Sequence, residues 1–162
     1  MGNKTLTYKQ RVQDHLDQSY LHLKRLNDAI VELNNKHLFP IDKSSYENMI
    51  NNIYDLAFCD QIIYRFSKLQ DTIGAKLFKG LLLYQGENID KPFLDILNQL
   101  EKIDIVNVDE WFELRDLRNE IAHDYENSDY LAIDILNNIF ESKDELEKIL
   151  NRIKRLLKNE NR

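Results

Sequence analysis

The chain is 162 residues long, the length of one domain, and a chain of this size buries roughly 68–70% of its unfolded surface. Hydrophobic residues at 43% and charged residues at 31% exclude a disordered chain, while four glycines and two prolines are too few for the many tight turns of a sandwich or barrel. A formal charge of −6 excludes sequence-blind adhesion to nucleic acid or anionic lipid, so any polyanion has to meet a local basic patch.

Val12, Leu16, Leu23, Leu26, Ile30 and Leu33 are spaced by threes, fours and one seven, which predicts a long first helix over 5–36. The run from His37 to Asp42 breaks it, because Pro40 disfavours helical geometry in the residue before it. Asp42 or Ser44 then caps a second helix. Met49, Ile53, Ala57, Ile62, Phe66, Leu69, Ile73, Leu77 and Leu81 predict one central, buried helix over 45–84, with Gly74 a place to kink it and Gly80 or Gly86 a place to end it. Asp90, with Pro92 in the first turn, caps a short third helix through Phe93, Leu94, Leu97 and Leu100. Asn107 or Asp109 opens a fourth through Trp111, Leu114, Leu117 and Ile121. After a break at 126–129 the last helix runs over 129–157. Short connections between such helices predict an all-α antiparallel bundle of four to five helices in a single domain, 1–162.

No stretch approaches the 18 apolar residues of a membrane span, and no apolar leader opens the chain, which predicts a cytoplasmic protein without membrane contact. The single Cys59, in an apolar run, reads as a small buried hydrophobe in a reducing interior. P-loop, dinucleotide and nucleophile-elbow motifs are missing, and no cofactor is implied. His15 and His22 are two helical turns apart, about 10 Å, too far to share one metal ion. They read as surface histidines, and His37 as a loop residue.

The segment Glu113 to Tyr125 is the informative one. At about 100° per residue, Leu114, Leu117, Arg118, Ile121 and Tyr125 share one broad sector of a helix, so Arg118 borders the core face. Arg115, Asn119 and His123 form a separate polar row beside Asp116 and Glu120. Arg118 and His123 diverge by about 140° on an ideal helix. Convergence requires either that the helix loosen near Asp124 or that a two-fold partner bring its own copy of the row across an interface, the arrangement favoured here. A guanidinium fork suits phosphate, and an imidazole titrates near neutrality, so together they suit RNA cleavage without metal. On spacing alone, ion pairs from Arg118 and Arg115 to bundle acids, with His123 at a helix end, account for the same residues. Arg65 and Asp71 are open to either a cleft role or a structural ion pair.

The run Arg118-Asn119-Glu120-Ile121-Ala122-His123-Asp124-Tyr125 resembles the Arg-x4-His-x-Tyr signature of the HEPN superfamily, and within it the HepT toxins paired with minimal nucleotidyltransferase antitoxins. The segments 65–78 and 111–119 are similar to parts of these proteins, so the likeness covers about half the chain. The resemblance implies an all-α homodimer whose two motifs face one cleft, and a metal-independent endoribonuclease leaving a cyclic phosphate. It implies Arg118 as the phosphate-binding and transition-state residue, His123 as general acid/base, and Asn119 and Arg115 as supporting polar groups. Tyr125 becomes the hydroxyl to which the antitoxin attaches AMP. Two alternatives follow from the same pattern: a non-catalytic subunit that binds nucleotide or substrate for a nucleotidyltransferase, and a helical dimerisation module.

Overall fold

The apolar stripe of the first helix is what the rest of the chain builds upon. The computed structural model describes residues 2–124 and 128–159, and α1 (Gly2–Lys36) presents Val12, Leu16, Leu23, Leu26, Ile30 and Leu33 as buried side chains. The seven-residue gap between Leu16 and Leu23 is filled on the same buried face by Ser19 and His22. The Ser19 hydroxyl donates to the His15 carbonyl, which satisfies it inside its own helix.

The linker after α1 is held from both sides. Ile41 donates its backbone N–H to Asn137 Oδ1 at 2.7 Å and accepts from Asn137 Nδ2 at 3.0 Å, while Phe39 stacks on Phe140. Asp42 caps α2 (Lys43–Ile50) by accepting from the Ser45 N–H. The single helix predicted over 45–84 is in fact broken here. Asn52 takes the backbone N–H groups of Tyr54 and Asp55 on its side chain, and so starts a new helix, α3 (Ile53–Thr72), two residues after α2 stops.

From α3 the helix continues through a π-helical turn (Ile73–Leu77) into α4 (Phe78–Tyr84). Gly74, in this turn, is the point of closest approach to Trp111: a methyl group there would lie 2.8 Å from the indole Cζ2. The wide turn and the missing side chain together admit the ring, which tilts against Phe78 with centroids 4.8 Å apart. Gly86 ends the element with φ +82°, its N–H reaching the Leu83 carbonyl and that of Glu87 the Leu82 carbonyl.

α5 (Phe93–Lys102) begins after Pro92, not at Asp90 as predicted, because the Asn88 side chain takes the Asp90 N–H in a local turn first. Asn107 caps α6 (Val108–Asp124) by accepting from the Glu110 N–H, and Ser128 opens α7 (Asp129–Asn159) by accepting from Leu131. Helices are the only regular elements among the described residues.

Cross-helix pairs set the directions. Lys36 meets Asp55 and His22 meets Arg65, so α1 and α3 run antiparallel. Asp71 meets Arg118 while Gly74 and Phe78 meet Trp111, so α3–α4 and α6 are antiparallel too. Arg152 reaches the Ile105 carbonyl, and Tyr20 donates to Asn151, which turns α7 back against both α6 and α1. The result is an up-down-up-down bundle in which α3 touches α1, α2, α6 and α7, while α1 and α6 do not touch each other. One apolar cluster runs through all of these elements. No helix among the described residues is long and apolar enough to cross a membrane.

Candidate functional site

α6 carries the predicted site, and its packing sorts the motif residues by face. Leu114, Leu117 and Ile121 are buried against the bundle. Arg118 lies at the edge of that face, 27% exposed, as the sector argument expects. Its Nε donates to Asp71 Oδ1 and its Nη2 to Asp71 Oδ2, each at 3.0 Å, the fork geometry that fixes a guanidinium in plane with a carboxylate. Asp71, flagged as open between cleft and ion pair, is thus the partner that orients Arg118.

An open groove of about 630 Å3 lies between α6 and the π-helical turn. Arg118, Arg115, Asn119 and Lys79 are its polar walls together with Asp71, and Trp111 and Gly74 contribute apolar wall. Arg115 is exposed and stands over the Phe93 ring, 5.9 Å from its centroid. Asn119 is exposed beside it. Neither Arg115 nor Lys79 has a carboxylate partner among the described residues, so an acidic protein keeps two unneutralised cations at this groove.

His123 is exposed in the last turn of α6 and is not part of the groove wall. α6 is helical from Val108 through Asp124, so Arg118 and His123 sit on one regular helix and diverge by about 140° within one chain, while the residues that follow Asp124, where loosening was considered, lie outside those described. Tyr125 lies outside the described residues. Among those described, no group of three His, Cys, Asp or Glu side chains is placed to hold a metal ion.

Two of the predicted histidine readings are corrected. His22 is 7% exposed, not a surface residue: its Nδ1 lies 2.9 Å from Arg65 Nη1, and burial together with Arg65, Lys68, Arg25 and Lys76 holds the imidazole below its ordinary range. Arg65 is thereby committed to His22, and its Nε is buried without a hydrogen-bond partner among the described residues. His37 is no mere loop residue. It joins Lys36 on the buried Asp55, at 3.1 and 3.2 Å, tying the end of α1 to the start of α3. Burial presses the Asp55 carboxyl upward, but the hydrogen bonds from His37 and Lys36 outweigh it and hold the group below the usual carboxylate range. Cys59 is buried as expected, and burial with Asp60 and Asp55 nearby pushes its thiol up to about 12.

The signal for His22 was present in the sequence. The apolar stripe skips from Leu16 to Leu23, and Ser19 and His22 are the residues that helical spacing places in the gap. Comparison with protein-family models, with curated proteins and with solved structures returns no match.

Proposed function

We propose that the chain is a metal-independent endoribonuclease toxin of the HepT-like type, acting as a homodimer and silenced when a minimal nucleotidyltransferase partner attaches AMP to Tyr125. The observation that carries this reading is the groove itself, where Arg118, fixed by Asp71, stands with Arg115 and Lys79 in a protein of net negative charge. Arg118 offers its remaining donor face to a phosphate, Arg115 and Lys79 add unpaired positive charge, and Asn119 supplies a neutral donor and acceptor.

His123 of the second copy supplies the base. It removes the proton of a ribose 2′-hydroxyl, the 2′-oxygen bonds to phosphorus, and the bond to the 5′-oxygen breaks. That oxygen leaves with a proton from an acid, giving a cyclic phosphate and a 5′-hydroxyl end. The guanidinium groups stabilise the charge that grows on the phosphoryl oxygens. Adenylylation of Tyr125 would add a negative charge and bulk that oppose the binding of RNA phosphates.

Incubating purified protein with RNA in the presence of a chelator tests the proposal. Wild type is expected to cut, and Arg118→Ala and His123→Ala each to lose about 10²–10⁴-fold in rate, the range for a positioned acid–base group. Wild type that leaves RNA intact, with His123→Ala indistinguishable from it, overturns the nuclease. The position of His123 outside the groove wall favours a second reading, a subunit that binds nucleotide or substrate for a nucleotidyltransferase. In that case wild type and His123→Ala bind RNA or nucleotide alike and neither cuts.

A further inference from the structure

On the other side of Asp71 a second groove, of about 280 Å3, opens between α1 and α3, and Asp71 is the one residue given a role in the mechanism above that lines it. Asp71 and Ala75 line both grooves, so the two adjoin. The second is walled by His22 from α1, Tyr64 and Lys68 from α3, and Lys76 from the π-helical turn.

Its chemistry is that of an anion site with an aromatic shelf. Arg65 can only donate, so His22 Nδ1 accepts from it and the ring proton sits on Nε2. No hydrogen bond among the described residues uses that Nε2–H, although the residue is 93% buried and lines the groove. Burial first, and then the surrounding cations, hold the imidazole below its ordinary range, which favours this neutral tautomer. Lys68 and Lys76 are exposed at the groove, and neither has a carboxylate partner among the described residues. The one acid in the wall, Asp71, is taken by Arg118. Tyr64 is half-exposed, with the Arg65 guanidinium 5.1 Å and the Lys68 ammonium 5.8 Å from its ring centroid.

We propose that this groove is a second nucleotide subsite for single-stranded RNA that continues from the Arg118 groove. Lys68 and Lys76 meet a flanking phosphate, His22 Nε2–H donates to one of its oxygens, and Tyr64 stacks the attached base. The choice of RNA rests on the ribonuclease reading, whereas the phosphate and base chemistry rests on these four side chains.

The test uses a twelve-nucleotide RNA with 2′-O-methyl riboses, which lacks the attacking hydroxyl and cannot be cut. Binding is measured against salt for wild type, Lys68→Ala/Lys76→Ala and Tyr64→Ala, all changes at exposed positions. The double variant is expected to bind about tenfold more weakly, with the slope of log affinity against log salt reduced by about 0.7, the share of one single-strand phosphate. Tyr64→Ala is expected to weaken binding with the slope unchanged. Unaltered affinity and slope in the double variant overturn the subsite, even where wild type cuts ordinary RNA. Wild type that never cuts RNA, but loses affinity in the double variant, keeps the subsite and removes the nuclease. Wild type with no affinity for the oligonucleotide overturns the subsite.

Discussion

A neutral, buried histidine makes stability depend on pH in a direction that can be worked out. His22 titrates lower in the folded chain than in the unfolded one, through burial first and then Arg65, Lys68, Arg25 and Lys76. The unfolded chain therefore binds more protons below about pH 6.5, and stability is lost as pH falls through that value. Melting temperature is expected to drop between pH 7 and pH 5, and His22→Gln to flatten that drop whatever its own starting stability. An equally steep drop in the variant removes His22 as the cause. Asp55, whose carboxyl is held low by His37 and Lys36, acts in a separate window: its contribution is present above the ordinary carboxylate range and fades at more acidic pH. The sequence tells which residues of α6 are buried, because Leu114, Leu117 and Ile121 repeat at helical spacing. It does not tell that His22 meets Arg65, His37 meets Asp55, or Asp71 meets Arg118. Those partners lie 43, 18 and 47 positions apart, and periodicity carries no information on them.

Helix ends show the same limit at the scale of the element. α4 and α5 stop with the same pair of backbone hydrogen bonds, the N–H groups just past each end reaching back to Leu83 and Leu82 in one case and to Glu101 and Leu100 in the other. The residue at the left-handed position is Gly86 in the first, with φ +82°, and Asp104 in the second, with φ 58°. Gly86→Ala is expected to cost about 1 kcal/mol, since no atom crowds the site and only the backbone conformation opposes a side chain. Asp104→Gly is expected to gain about 0.5 kcal/mol, the relief being partly offset by a freer unfolded chain. Denaturant midpoints of the two variants, moving in opposite directions, check this. The sequence narrows two caps to a pair each, Asp42 or Ser44 and Asn107 or Asp109, and the side chains that accept the backbone N–H groups are Asp42 and Asn107. Asn52 is hidden inside an unbroken apolar pattern, and Asn88 diverts the start that Asp90 advertises. The π-helical turn leaves a trace: Leu69, Ile73, Leu77 and Leu81 are three successive spacings of four, a drift that an ideal α-helix cannot keep on one face.

Over the whole molecule, α3 and its continuation form the spine to which α1 and α6 both attach without meeting each other. Each flanking helix makes one of the two grooves, and Asp71 stands between them. The all-α bundle follows from composition and periodicity, since glycine and proline are scarce and the apolar stripes are long. The meeting of grooves does not, because it depends on cross-helix pairing. Within one chain Arg118 and His123 face apart, so the proposed activity requires a second copy. Sedimentation or light scattering is expected to give twice the 19.4 kDa of the chain, and a monomer that still cuts RNA contradicts the shared cleft.

Trp111 is the protein's single tryptophan, and it is both core wedge and groove wall. Its indole is 1% exposed, with Nε1 buried and unpartnered among the described residues, and it rests on a glycine in the one wide turn of the spine. A molecule entering that groove changes the surroundings of the only strongly fluorescent ring the chain possesses, so the protein carries its own label-free optical reporter of occupancy.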